Sequence, residues 1–302
     1  MSQDATLGFV GLGVMGEPMC ANLVRKSGRP VHVFDMSAEA VARVVEKGGI
    51  AAGSAAAVGA VADIVFLSLP SIAEVETVAS QLLAAPRRPR MIVDMSTSDV
   101  ARTRALAQSL RAAGIAFVDA PVARTKEAAI QGTLLISVGG AAEDVAAVRS
   151  CLECMGSDVL HCGETGSGQM LKILNNMMVF MTVNALAEVL TIGRRAGMDG
   201  EALFSLLSQG SADSFVLRNH GMKSLARDHF PEKTFPMVYA IKDASLALSL
   251  AQQGDFQPRM AQYTYDLMCQ ARDAGLAQNY HPAMIQLVDG RVPATVPAQA
   301  QA

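Results

Sequence analysis

Basic runs, aromatic-basic stripes and any dense set of cysteines are all missing from this chain of 302 residues. Only 18% of the residues are charged and the net charge is −3, so there is no electrostatic footprint for nucleic acid. Five cysteines are an odd number, and their spacing does not suggest a disulfide framework. Cys151 and Cys154 form a CxxC pair with His161 and Cys162 nearby, yet a zinc site needs four ligands and a reactive thiol needs an electropositive setting. The pair lies in an apolar, helical stretch, so core packing is the better reading and no metal is expected. The first strand is reached by residue 6, which leaves no room for a signal peptide. The most apolar stretch, 173–193, is interrupted by Asn175, Asn176, Thr182, Asn184 and Glu188, as in a buried helix and not a membrane span. A cytoplasmic protein with no membrane or nucleic-acid partner is expected. What the chain does have is apolar mass: 51% hydrophobic residues over this length supply two domains with sizeable cores.

The first half alternates strands and helices. Apolar runs at 6–10, 31–34, 64–69, 91–95, 115–122 and 134–138 read as strands buried on both faces, separated by alanine-rich helical stretches at 38–47, 72–84, 99–113 and 142–155. A short strand at 158–161 closes this part. From Gly166 onward the pattern is helical: one long helix from about 167 to Arg195, ended by Gly197, and further helices near 200–209, 236–253, 258–274 and 282–288. The expected fold is therefore α/β, a doubly wound parallel sheet followed by an all-helical C-terminal domain. The boundaries are 1–164 for the sheet domain, 165–291 for the helical substrate and oligomerisation domain, and 292–302 for a disordered tail.

Residues 6–10 lead into Gly11-Leu12-Gly13-Val14-Met15-Gly16, after which the pattern turns helical at Met19, Leu23 and Val24. In such a loop Gly11 makes the tight turn, Gly13 admits a pyrophosphate and Gly16 lets strand and helix pack closely. The helix N-terminus then offers unpaired N–H groups to the phosphates. A second strand, 31–34, ends in Asp35, nineteen residues beyond Gly16 and close to the spacing of the carboxylate that accepts from the adenosine ribose. Asp35 would repel a 2′-phosphate and no arginine follows it directly, so NAD is favoured over NADP. Ligands of open α/β sheets bind beyond the carboxyl ends of the strands. Leu69-Pro70 and Ser96-Thr97 follow such ends and are placed against the cofactor, although Ser96-Thr97 would equally cap the helix at 99–113. Ala123-Arg124-Thr125 follows the fifth run. Arg124 can clamp an anionic group bidentately, and the competing reading is a solvated loop arginine. Lys242-Asp243, on a late helix, can fold back toward the nucleotide or be a plain surface ion pair.

Gly166 to Asn176 places Lys172, Asn175 and Asn176 on one face of an apolar helix, since residues three and four apart are neighbours. With Met177, Met178, Val179, Phe180 and Met181 following, that face is expected to be buried or closed off by a partner surface. Burial drives a lysine toward its neutral form, so that it gives and takes protons near neutral pH. The competing reading is a helix-start lysine that snorkels to water.

Four motifs together resemble the β-hydroxyacid dehydrogenases, which include 3-hydroxyisobutyrate dehydrogenase and tartronate semialdehyde reductase: Gly8 to Met19, Asp119-Ala120-Pro121-Val122, Gly168 to Asn176, and Lys242-Asp243. The likeness covers nearly the whole chain. It implies an N-terminal Rossmann domain, a helical domain hung on the long helix and an active site between them. It also implies Lys172 as the catalytic acid/base, Asn175 and Asn176 as substrate-positioning residues, and Thr97 and Lys242 as cofactor contacts. Most of the family follows Asp-x-Pro-Val with Ser-Gly-Gly, which grips a carboxylate. Here Ala123-Arg124-Thr125 stands instead and, with Gly132-Thr133-Leu134-Leu135, resembles the 3-sulfolactaldehyde reductases, whose arginine holds a sulfonate. A serine that helps in those enzymes is replaced here by Val179.

The implied reaction is a reversible hydride transfer between NAD(H) and a small anionic hydroxy acid or aldehyde. The substrate would be of sulfolactaldehyde or succinic semialdehyde type, or else a 3-hydroxyisobutyrate or tartronate semialdehyde. A non-catalytic nucleotide-binding scaffold or an imine-reducing relative would lack Lys172, and a 6-phosphogluconate dehydrogenase would need a histidine beside the asparagine and a longer chain. A homodimer or homotetramer is expected through the apolar helical domain.

Overall fold

The computed structural model describes residues 5–232 and 234–293. The expected tail therefore lies, from 294 on, outside the described residues. The chain divides into two compact units, Met1–Lys172 and Ile173–Ala302.

The first unit is built on nine strands: β1 (Leu7–Val10), β2 (Val31–Phe34), β3 (Ile50–Ala51), β4 (Ile64–Leu67), β5 (Met91–Asp94), β6 (Ala116–Asp119), β7 (Val122–Ala123), β8 (Leu134–Gly139) and β9 (Gly156–Gly163). Its helices are α1 (Gly16–Lys26), α2 (Ala38–Val45), α3 (Ala55–Val61), α4 (Ile72–Ala84), α5 (Val100–Ala112), α6 (Lys126–Gln131) and α7 (Ala142–Leu152). The strands β3-β2-β1-β4-β5-β6 run parallel in that spatial order, with Leu7, Ile64, Met91 and Ala116 in one row of the register. The order reverses at β1, between β2 and β4. That reversal opens a crevice at the carboxyl ends of the strands, where ligands of this architecture bind.

Continuous apolar strands fit this arrangement because both faces are covered. Leu7, Phe9, Ile64, Phe66, Met91 and Val93 join one core with α1 and α7, whereas Val10, Val65, Leu67, Ile92 and Phe117 join another with α3, α4 and α5. Strand alternation assigns each residue to its face.

The sheet is not wholly parallel, as the sequence pattern had suggested. β8 runs antiparallel to β6 and β7, and β9 lies parallel to β8. The expected single run at 115–122 is broken into β6 and β7 at Pro121, which has no N–H for a ladder. β3, α3 and α6 were not foreseen, being segments of two, seven and six residues, too short for a clear period.

The helix α8 (Ser167–Arg195) begins in the first unit and continues in the second. The division between the compact units falls inside it, after Lys172. The reason is that its first turn is hydrogen-bonded to the sheet unit through Asp119 and Ser98. α8 is long and apolar enough to cross a membrane by length and composition alone. Here its Phe180, Val183, Ala187 and Leu190 are core residues of the second unit.

That unit adds α9 (Gly200–Leu207), wide π-type turns over Leu217–Leu225, α10 (Met237–Gln253), α11 (Arg259–Ala271) and α12 (Ile285–Val288). The turns at Leu217–Leu225 fall in a stretch for which the sequence pattern suggested no element.

Candidate functional site

The glycine loop closes on itself as its sequence requires. Gly11 has φ +96°, and a Cβ there would lie 2.2 Å from the Ser68 carbonyl oxygen. A Cβ on Gly16 would lie 2.1 Å from the Gly11 carbonyl oxygen. No heavy atom comes within 4 Å of a Cβ built on Gly13, so the absent side chain leaves open space over the start of α1. The cap residue Met15 makes no side-chain cap hydrogen bond, and Val14 is 44% exposed. Open space and uncapped N–H groups at a helix start are what a pyrophosphate needs, so these residues fit a dinucleotide.

Asp35 stands beside them. Its carboxylate accepts from the Leu12 N–H at 2.5 Å and the Ser37 N–H at 2.7 Å. The Leu12 amide is thereby committed to Asp35, which fixes the acid against the loop. Leu69 packs against Gly11, and its N–H donates to the Ser96 hydroxyl at 2.9 Å. Pro70 is exposed and Thr97 half-buried at the same strand ends. Neither Ser96 nor Thr97 caps α5. Asp99 does so, accepting from the Arg102 N–H.

A buried polar network carries these strand ends into α8. Asp94, at the end of β5, accepts from the Ser96 N–H and the Ser98 hydroxyl. The Gln169 amide donates to the Ser96 carbonyl and accepts from the Ser98 N–H, each at 2.9 Å. Asp119, at the end of β6, accepts from the N–H groups of Gly166 at 2.7 Å and Gln169 at 2.9 Å, capping the start of α8. A carboxylate suits a helix N-terminus because it faces the positive end of the dipole. Space is made by Gly168, where a Cβ would come within 2.9 Å of the Asp119 carboxylate. Burial pushes the Asp119 carboxyl up to about 6, against the downward pull of those two N–H donors. Sequence reasoning gave no role to Asp119, Asp94 or Gln169. The available signal was an acid ending an apolar strand, the same position that singled out Asp35.

Lys172 follows Gln169 by three residues on α8, so its backbone is held by this network. It is half-buried. The expected apolar seal around it is partial: Phe180 is buried, whereas Leu174 is 41% and Met178 62% exposed.

One turn further, in the second unit, Asn176 is buried and donates to Asp243 at 2.7 Å. Asn175 is exposed and donates to the Asn176 side-chain oxygen at 3.1 Å. The Lys242 ammonium lies 2.9 Å from the other oxygen of Asp243, whose side chain is only 4% exposed. Lys242-Asp243 is thus not a plain surface pair. Asp243 links the asparagines on α8 to Lys242 on α10.

Ala123 belongs to β7, opposite Leu135. Arg124 does not stand open for a ligand. Its guanidinium pairs with Asp158 at 2.7 Å and donates to the Thr133 carbonyl at 2.6 Å and the Ser157 hydroxyl at 2.9 Å. The Thr125 hydroxyl caps α6 by accepting from the Ala128 N–H. Among the described residues no cluster of histidine, cysteine, aspartate and glutamate could hold a metal ion. The cysteines are free, with Cys20, Cys151 and Cys154 buried.

Residues 6–163 match the family described as the NAD binding domain of 6-phosphogluconate dehydrogenase. Residues 166–288 match that described as NAD-binding of NADP-dependent 3-hydroxyisobutyrate dehydrogenase. The chain is 33% identical to 2-(hydroxymethyl)glutarate dehydrogenase of Eubacterium barkeri, over 95% of this chain and 96% of that protein. It is 36% identical to mitochondrial 3-hydroxyisobutyrate dehydrogenase of Mus musculus, over 70% of this chain and 64% of that one. Among solved structures it is similar to Mycobacterium tuberculosis 3-hydroxyisobutyrate dehydrogenase with L-serine, with a TM-score of 0.86, 28% identity, and 94% and 99% of the two chains covered.

Proposed function

The chain belongs to the β-hydroxyacid dehydrogenase family, and we propose that it interconverts a small anionic 3-hydroxy acid and its semialdehyde with NAD(H), Lys172 carrying the proton. The observation that carries this reading is the placement of Lys172 three residues after Gln169, whose side chain is bonded to the Ser96 and Ser98 backbone at the strand ends beside the glycine loop. When bound, the nicotinamide accepts or returns a hydride at C4. Lys172 takes the proton of the substrate hydroxyl as the carbon–hydrogen bond gives up its electron pair, and returns it to the carbonyl oxygen in the reducing direction. Asn176, held by Asp243, orients that oxygen, and Asn175 steadies Asn176. Thr97 and Lys242 contact the cofactor.

Preference for NAD over NADP is supported by Asp35, whose carboxylate is held by two N–H groups at the loop and would repel a 2′-phosphate. Arg124 and Thr125 would take the acid group of the substrate. Their presence in place of small residues supports a sulfonate such as 3-sulfolactaldehyde, or succinic semialdehyde. The alternative, 3-hydroxyisobutyrate, is supported by the names of the relatives. Cytoplasmic residence is part of the proposal. So is a homodimer or homotetramer, supported by Met178, Ile192, Leu206 and Met260, each more than 60% exposed on helices of the second unit.

A panel of succinic semialdehyde, tartronate semialdehyde, 3-sulfolactaldehyde and neutral aldehydes, assayed with NADH and NADPH, tests the reading. Anionic aldehydes and NADH are expected to win by at least about tenfold each, the scale of one lost charge contact. Equal rates for charged and neutral aldehydes would sink the anionic-substrate reading, and a preference for NADPH would sink the role of Asp35.

A further inference from the structure

Arg124 occupies a conformation that its residue type does not favour. Its φ is +86°, in the left-handed region that glycine adopts freely and that strains an arginine backbone. It leaves the end of β7 and reaches past Thr133, at the head of β8, to Ser157 and Asp158 at the head of β9. There its guanidinium meets two neighbouring groups, the hydroxyl of Ser157 at 2.9 Å and the carboxylate of Asp158 at 2.7 Å. The Ser157 hydroxyl donates in turn to that carboxylate at 2.8 Å. A hydroxyl beside a carboxylate, both on one arginine, has the chemistry of a small hydroxy acid.

We propose that Asp158, with Ser157, is an internal stand-in for the substrate's acid group. It holds Arg124 and is displaced when a carboxylate or sulfonate takes the guanidinium. The inference rests on the reading of Arg124 as the anion clamp and adds a residue that sets the apparent affinity. The exchange is isoelectric: one anion leaves the arginine for water and another arrives. It is also easy, because the side chains of Arg124 and Asp158 are 38% and 45% exposed and an exposed ion pair holds its partners weakly. Asp158 remains an anion throughout the working range, since the Ser157 hydroxyl and then Arg124 hold its carboxyl below the usual carboxylate range. Displacement therefore requires a competing anion and is not triggered by a proton.

The test compares KM for succinic semialdehyde, or for 3-sulfolactaldehyde if that reacts faster, with KM for butanal, in the full-length enzyme. Asp158→Asn removes the competing charge. The ratio of anionic to neutral KM should fall by about two- to fivefold, the range of an exposed ion pair. Ser157→Ala, which loosens the same carboxylate, should lower the ratio in the same direction by a smaller factor. Arg124→Ala should raise it more than tenfold. An Asp158→Asn enzyme with an unchanged or raised ratio, while Arg124→Ala still raises it, overturns the stand-in and leaves the clamp intact. An Arg124→Ala enzyme that keeps its anionic preference, or a panel in which no anionic aldehyde is reduced, overturns the clamp and the stand-in with it.

Discussion

The two units bury polar groups in different ways. In the sheet unit, Asp94, Asp119, Ser96, Ser98 and Gln169 are buried together and meet one another or backbone N–H groups. In the helical unit, His281 is buried among rings: Phe180 at 5.2 Å, Tyr280 at 4.9 Å, His220 at 5.4 Å and Phe235 at 5.8 Å between centroids. The Nδ1 atoms of His220 and His281 have no hydrogen-bond partner among the described residues. Hydrogen-bonded burial fixes distances, which is what the start of the lysine-bearing helix requires. Burial among rings stabilises through contact area and leaves the imidazoles neutral, so their protonation is penalised. The same contrast gives opposite pH responses. Asp119 resists deprotonation, whereas the histidines resist protonation.

The largest effect should come from Lys172, three residues beyond Gln169 on α8. Lys172→Ala is expected to lower kcat by about 100- to 10,000-fold, the range for losing a general acid/base. Titration with NAD should give nearly the same Kd as before, because the glycine loop and Asp35 are untouched. A variant retaining half its turnover on the best substrate would remove Lys172 from the mechanism.

The ring cluster offers the next. Burial lowers His220 to about 4, and burial and then His220 drive His281 well below the ordinary histidine value. With folded values depressed, the unfolded chain binds more protons between pH 6.5 and about 4, so stability falls as the pH falls through that window. The loss from His220 is about 3 kcal/mol, and His281 adds to it in the same direction. Hydrogen-exchange protection factors of peptides from 217–225 and 281–288, corrected for the intrinsic rate at each pH, should fall accordingly at pH 4.5, and those of a His220→Phe variant should fall less. Identical pH profiles in the two proteins would show that the cluster carries no such linkage.

Asp119 tests the other side of the contrast. Its folded value, about 6, lies above the ordinary 3.8. Its contribution to stability is therefore fully present below about pH 4 and is lost as the pH rises through 6, to the extent of about 3 kcal/mol. In Asp119→Asn this slope should vanish from denaturant unfolding of the sheet unit between pH 4 and 7. The stability gap between the variant and the parent should therefore shift in the variant's favour as the pH rises through 6, because the amide has no proton to lose. A retained slope would assign the titration to another group.

Much of this organisation was legible in the chain. Apolar runs, short spacers and the Gly11-x-Gly13-x-x-Gly16 turn are local signals, and they placed the strands β1, β2, β4, β5 and β6, the long helix and the glycine loop. Strand direction was less accessible. Nothing local to 134–139 says that β8 runs antiparallel, since a strand buried on both faces reads the same in either sense. The roles of single polar residues were harder still. Asp99 and not Ser96-Thr97 caps α5, and Thr125 caps α6. In each case several hydroxyls or acids compete for one N–H within a few residues, and backbone dihedrals choose between them.

Sequence by itself determined the family, because its motifs, the glycine turn above all, are runs of neighbouring residues whose spacing is read locally. Tertiary structure alone decided which acids hold those motifs. Asp119 reaches Gly166 and Gln169 across 47 and 50 residues, Asn176 reaches Asp243 across 67, and Arg124 finds Ser157 across 33. Such pairings carry no period and no spacing. They arise only when chain reversal brings strand ends and helix starts together, and the demand that buried polar groups be paired then selects the partners.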